Sequence, residues 1–343
     1  MRDDLIVAFE VQARACDGLG SPFTARLMRL LPGLVADESG LGRLMAGWLG
    51  DPGPYGASLP LRLAGGLHHL VLTGQVADLA ACYPPQEAPG IAAALARVLR
   101  AEEGFLTGWM ANTPQTNEVG RSAVLLAGAA AVAHWSGLPL QVSELGASAG
   151  LNLNFARYRL DVAGVSLGDP DAALVLEPDW RGVPPVPGGV AVAEARGVDL
   201  NPLDPGADGL RLMSYVWPDQ AARLARLRQA LDVAAVAPPQ VDRGEAADWL
   251  ESRLAAPPEG RCHLVCHTIA HQYFPAASQN RIAAAMAKAG SRATPAAPLA
   301  WLAMEADATP GSAAVTLRLW PGNRQVALGR AGFHGQWLEW RGL

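Results

Sequence analysis

Leu140-Gln141-Val142-Ser143-Glu144-Leu145-Gly146-Ala147-Ser148-Ala149-Gly150 is the stretch that decides the fold. Its first six residues have the length and apolar bias of a short buried strand. The glycines that follow predict a tight turn from strand into helix, where backbone can approach a ligand closely. Such a turn at the C-terminal end of a strand is where open α/β sheets bind their ligands.

On the N-terminal side of this stretch the periodicity is helical. Leu5, Phe9, Val11 and Ala15 begin one stripe and Phe23, Leu27, Leu30 and Leu31 another, followed by helices around 61–72, 91–111 and 122–136. On its C-terminal side strands and helices alternate. Strands are expected at 191–198, 240–243, 262–268 and 299–305, with helices at 220–231, 246–254 and 278–289. Pro218 would sit in the first turn of the 220–231 helix. Three late strand-like runs, 315–320, 326–329 and 336–340, predict an antiparallel edge. Residues 157–189, rich in Gly, Pro and Asp, break the alternation and predict an inserted hairpin and loop. The expected architecture is therefore an all-helical domain over 1–138, followed by an α/β domain over 139–343 with a mainly parallel sheet. The boundary is expected at Gly137-Leu138-Pro139.

Of the 343 residues 50% are hydrophobic and 17% charged, with a net charge of −5 and no lysine or arginine cluster, which argues against a nucleic-acid partner. Met1-Arg2-Asp3-Asp4-Leu5 carries two acids where a secretory signal would be basic. The longest apolar run, 123–133, falls far short of the roughly 20 residues needed to span a bilayer. A cytoplasmic location without membrane attachment is expected. The four cysteines, Cys16, Cys82, Cys262 and Cys266, predict buried thiols rather than a disulfide framework.

Three further segments fall at the ends of later strands. Gly197-Val198-Asp199-Leu200-Asn201-Pro202 closes the second with an acid suited to a ribose diol. Gly244-Glu245-Ala246-Ala247-Asp248 follows the third, and His263-Leu264-Val265-Cys266-His267-Thr268-Ile269-Ala270-His271-Gln272-Tyr273-Phe274-Pro275 spans the fourth and its exit. In this order the segments resemble the class I S-adenosylmethionine-dependent methyltransferases, whose loops look like E-L-G-x-x-x-G, D-x-S-P, G-D-A-x-x-L and D-L-V followed by H-x-x-P. Here His263 stands for the usual fourth-motif acid and Glu245 for the third-motif Asp, and the gap from Gly150 to Asp199 is longer than usual. The resemblance covers roughly 139–343. It implies a Rossmann-like methyltransferase fold with S-adenosylmethionine as cofactor. Glu144, Gly146, Ala147, Ser148 and Gly150 would cradle the cofactor, Asp199 would hold its ribose, and Glu245 and Ala246 would flank the adenine. His267, His271 and Tyr273 would face the methyl group, with His271 as candidate base. The whole chain also resembles the uncharacterised bacterial domain of unknown function 2332, through 115–122, 146–155, Asp199-Leu200-Asn201-Pro202 and Tyr215-Val216-Trp217-Pro218-Asp219-Gln220. That family brings no activity with it.

Gln115, Thr116, Asn117, Glu118 and Arg121 concentrate polar groups between apolar helices, which suits either a capped helix start or the wall of an acceptor pocket opposite His267 and His271. The acceptor is expected to be a small molecule. Two alternatives stay open: a methyltransferase-like module that binds cofactor or nucleotide without catalysis, and an α/β-hydrolase using Ser148 in G-x-S-x-G. The hydrolase would need several strands before its nucleophile, and none is predicted. Cys262 and Cys266 share one strand face and His263 and His267 the other, so no metal site is expected. His68 and His69 are expected to be packing residues on an apolar helix. Trp217-Pro218-Asp219-Gln220 suits helix initiation or a lid over the adenine.

Overall fold

The computed structural model describes residues 2–54 and 56–343; Met1, which opens the acidic N-terminal stretch, and Tyr55 lie outside them. The chain begins with α1 (Asp3–Gly18), α2 (Pro22–Leu30), α3 (Gly40–Ala46), α4 (Leu59–Leu72), α5 (Ala77–Ala80), α6 (Ile91–Ala101), α7 (Glu103–Trp109) and α8 (Ser122–Ser136). Among the described residues no strand precedes β1 (Leu140–Leu145). Then come β2 (Arg159–Val162), β3 (Val165–Gly168), β4 (Val175–Leu176), β5 (Asp179–Gly182) and β6 (Val192–Asp199). They lead to α9 (Pro205–Tyr215), α10 (Ala221–Val236), β7 (Val241–Arg243), α11 (Ala246–Arg253), β8 (Cys262–Thr268) and α12 (Ala276–Gly290). The chain closes with β9 (Leu299–Ala306), β10 (Ala313–Trp320), β11 (Arg324–Ala331) and β12 (Trp337–Trp340). This is an α/β protein, and no helix among the described residues is long and apolar enough to cross a membrane.

The large sheet runs β5-β12-β11-β10-β9-β8-β1-β6-β7. From β7 to β9 every pairing is parallel. From β9 to β12 the strands meander antiparallel, giving the expected edge. Every residue of β1 and β8 is buried, as befits central strands covered on both faces. One face carries α8, whose Gly128 lies against Leu302. On the other, Leu250, Ile282 and Met286 of α11 and α12 pack with Leu145, Val265 and Trp320.

The differences from expectation come from long-range contacts. The chain divides after Thr116 rather than at 138: one compact unit holds the residues up to Thr116 with Asp208–Ala225, the other Asn117–Ala207 with Arg226–Leu343. Helix α8 packs against β8 and β9, so it belongs with the sheet. Residues 208–225 belong with the helices because Asp219 caps α2, accepting from Phe23 N at 2.9 Å and Thr24 Oγ1 at 3.2 Å. The 91–111 helix breaks at Glu102, and Glu103 on the far side accepts from Leu41 N at the start of α3. Pro218 lies in the turn before α10, not in its first turn. Residues 157–189 do contain a hairpin, β2–β3 joined by β4, but β5 pairs with β12 at the edge of the large sheet. The glycine turn is followed by a short 3-10 segment, Leu151–Arg157, rather than an α-helix. Asn117 Oδ1 takes Leu151 N at 2.8 Å, and Leu151 O accepts from Tyr158 Oη at 2.6 Å, which diverts the groups a regular helix would use.

Gly197 of β6 faces Glu144, and a Cβ there would lie 2.5 Å from the Ala147 Cβ and 3.3 Å from Leu153. Gly197→Val should therefore overpack the turn and cost about 1–3 kcal/mol. Urea denaturation checks this, and an unchanged midpoint would contradict the placement of the turn over β6.

Candidate functional site

Polar side chains gather at the C-terminal edge of the parallel strands. The turn after β1 is tied to the end of β6: Val198 O accepts from Gly146 N at 2.9 Å and from Ala147 N at 3.0 Å. The Asp199 carboxylate takes one amide on each oxygen, Ser148 N at 2.9 Å and Asn201 N at 2.8 Å. Gly146 and Gly150 both have φ +72°, and protein fills the space a side chain would need. A Cβ on Gly146 would meet Ala270 at 2.6 Å, and one on Gly150 would meet Val241 at 2.6 Å. Ser148 accepts φ +55° between them, a strained backbone for a residue with a side chain. The amides of Gly146, Ala147, Ser148 and Gly150 are all bonded within the protein, so these four do not form an anion cradle. It offers carbonyls and a half-buried carboxylate already fixed in place.

Glu144, one residue before the end of β1, is fully enclosed and its Oε2 has no hydrogen-bond partner. Burial, then the nearby Asp199 charge, push its carboxyl up to about 8, against opposing pulls from Arg121 and Asn152. At neutral pH it is mostly an uncharged acid.

The polar segment before α8 reaches the same edge. Asn117 holds Leu151 N, Ser122 Oγ donates to Asn152 Oδ1 at 2.7 Å, and Glu118 Oε1 accepts from Gly120 N at 3.1 Å, capping the turn itself. Arg121 donates to Thr268 O at 3.0 Å and to Phe333 O at 2.9 Å, so it braces the exit of β8 against the β11–β12 turn. Gly120 and Gly335 approach so closely that a Cβ on either would strike the other segment's carbonyl at 2.3 Å. Gln115 and Thr116 belong to the helical unit, the first half-buried and the second exposed.

Glu305, at the end of β9, organises the exit of β8. Its carboxylate accepts from His267 Nδ1 at 2.7 Å and from the amides of Ala270 and His271 at 3.1 Å each. Burial pushes its carboxyl up, but the His267 contact and the two amides outweigh this and hold it below the ordinary value. These bonds support Ile269 at φ +50°, an outlier for a β-branched residue. The Trp301 indole N–H, which can only donate, points at His267 Nε2 from 2.9 Å. His267 therefore carries its hydrogen on Nδ1 and has no ring nitrogen left for a substrate; it is a positioning residue. His271 stacks on it at 4.8 Å with its Nε2 buried and without a partner. Burial, then His267, hold the His271 pKa below the ordinary range, with Glu305 opposing.

The remaining expected residues are placed differently. Glu245 caps α11, accepting from Ala247 N at 2.8 Å and Asp248 N at 3.0 Å, and Ala246 is buried behind it. Tyr273 is 69% exposed. Cys262 and Cys266 are buried thiols, the first pushed up to about 12 by burial and the second also raised. His263 bonds Ser143 Oγ at 2.9 Å and lines a small cavity with Pro257 and Leu299, far from the glycine turn because it sits at the start of β8. No group of metal-ligating side chains occurs among the described residues. Glu305 escaped the sequence motifs; its only signal was an acid at the end of the fifth strand.

The family described as "Uncharacterized protein conserved in bacteria (DUF2332)" matches residues 7–340, and the chain belongs to it. No curated protein and no solved structure matches.

The Glu144 carboxyl titrates near 4.5 when exposed and at about 8 when folded. Between those values the native state binds the extra proton, so stability falls as pH rises through this window. Glu144→Gln should remove that loss: relative to wild type it should gain up to a few kcal/mol between pH 5 and pH 8.5. Denaturant titrations at both pH values check this, and a constant offset would contradict a neutral Glu144.

Proposed function

We propose that the C-terminal edge of β1 and β6 binds S-adenosylmethionine and that the protein transfers its methyl group to a small acceptor. The observation that carries this is the Asp199 carboxylate, immobilised by Ser148 N and Asn201 N beside the glycine turn. Each oxygen keeps a lone pair, and two such acceptors suit the two hydroxyls of a ribose. The parallel strands stand in the order third, second, first, fourth, fifth, counting β1, β6, β7, β8 and β9, which is the order of a Rossmann-like nucleotide-binding sheet. The turn lies where that order reverses.

Bound there, the sulfonium supplies an activated methyl group for in-line displacement. The chain's own part is alignment, exclusion of water and proton handling. His271, with its depressed pKa, is in its base form at neutral pH and has a free nitrogen to take an acceptor proton. His267 and Glu305 hold the turn that presents it. Uncharged Glu144 avoids a second buried negative charge beside Asp199.

A binding module without turnover is the second reading, favoured by the full engagement of His267 and the exposure of Tyr273. The φ of Ser148 is what favours a hydrolase. Against it, no strand precedes β1 among the described residues, and the His267–Glu305 pair is turned onto Trp301.

Calorimetry with S-adenosylhomocysteine tests the proposal. The wild type should bind, and Asp199→Asn should bind about tenfold or more weakly, from the loss of charge-assisted hydrogen bonds. Its melting temperature reports whether the turn has stayed in place. Absence of binding, with phosphonate labelling of Ser148, would replace the methyltransferase by the hydrolase.

A further inference from the structure

A small cavity lies on the α11–α12 side of the large sheet, at the start of β8, so it is separate from the site of the methyl-transfer reading. Leu254, Ala289, Ala293 and Leu299 are among its apolar walls, and His263 and Arg292 are its two polar side chains. Among the described residues no acidic side chain lines it. Its volume is about 20 Å³. A water needs roughly 10–15 Å³, so the cavity seats one small polar group.

The neighbours of His263 fix which ring nitrogen carries its hydrogen. The buried Ser143 Oγ lies 3.3 Å from Arg253 Nε, a group that can only donate. Its other partner is His263 Nε2 at 2.9 Å. A buried hydroxyl hydrogen needs an acceptor, and Nε2 is the one Ser143 has. Ser143 therefore accepts from Arg253 and donates to His263. Burial, then the Arg253 charge, push the His263 pKa down to about 3, so its ring is neutral and its single hydrogen sits on Nδ1. His263 is 1% exposed, and among the described residues Nδ1 has no acceptor. The side chain that carries this unmet donor lines the cavity. The charge of Arg253 is met by Glu194 at 2.7 Å. Arg292, in contrast, has carbonyls as partners and not a carboxylate: it donates to Leu254 O at 2.6 Å and to Ala255 O at 3.3 Å. These bonds hold its guanidinium at the cavity wall, where the residue is exposed to solvent.

We propose that this cavity binds the carboxylate of a small aliphatic acid, with one oxygen accepting from His263 Nδ1–H and the charge facing the Arg292 guanidinium. The side chains of the lining offer donors and no acceptor, which suits a carboxylate and disfavours an ammonium group. Arg292 brings positive charge without an acid to balance it, which favours an anion over a neutral carbonyl. The volume admits the head of a formate or acetate and excludes an aromatic acid. Apolar walls strengthen the bond by keeping water from competing for it.

The test is nuclear magnetic resonance of the full chain with isotope-labelled histidine nitrogens, the His263 signals being those lost in His263→Gln. At neutral pH these signals should show the hydrogen on Nδ1 and none on Nε2. Titration with acetate should move them and saturate at millimolar concentration. Acetamide, of the same shape but uncharged, should bind about tenfold or more weakly, and benzoate should leave the signals in place. Arg292→Met should weaken acetate about tenfold while acetamide is unchanged. Ala293→Leu, which fills the cavity, should abolish the acetate response; if that variant does not fold, Ala289→Val takes its place. The proposal is overturned if Nε2 carries the hydrogen, if acetate leaves His263 unmoved at tens of millimolar, if acetamide or benzoate binds as well as acetate, or if the substitutions leave acetate affinity unchanged.

Discussion

The clasp between Asp199 and the turn after β1 is the constraint on which the candidate site depends. Two parallel neighbours, β1 and β6, end side by side, and the carboxylate at the end of one takes the amide of Ser148 from the other. That bond keeps a non-glycine residue in the left-handed region between two glycines. The same clasp fixes the carboxylate's rotamer, so its remaining lone pairs are presented in one direction before any ligand arrives. Preorganisation of this kind reduces the ordering cost of binding.

Two carboxyls at the strand ends, Glu144 and Glu305, are driven in opposite directions. Glu144 has an oxygen without a partner and Asp199 as a neighbour, so it takes up a proton. Glu305 has His267 and two amides, so it stays ionised despite its burial. Environments that separate the titration of nearby acids are a feature of catalytic sites. Here the ionised one holds the strained Ile269 turn and, through His267, the orientation of His271. The neutral one removes a charge that would repel Asp199.

Strand ends were legible wherever a residue pattern and a buried strand coincide. Cys262–Thr268 emerges with the expected bounds because a continuous apolar run has few other ways to be satisfied. The meeting of Asp199 with the glycine turn was also legible, since adjacent parallel strands bring their C-terminal ends together. What stayed hidden depends on partners distant in the chain. Nothing local announces that β5 leaves its hairpin to pair with β12, or that Asp219 caps α2. The partners of His267 and Glu245 are hidden for the same reason: His267 bonds Trp301 and Glu305, and Glu245 the amides of α11. Arg121 is legible as a polar residue among apolar helices, but the two carbonyls it donates to lie far away in sequence.

The most direct test of the central claim is a crystal structure of the protein soaked with S-adenosylhomocysteine. The account predicts both ribose hydroxyls within hydrogen-bonding distance of the Asp199 oxygens, with the bonds to Ser148 N and Asn201 N intact. A ligand held elsewhere, or seated at this edge with its ribose turned away from Asp199, would contradict it.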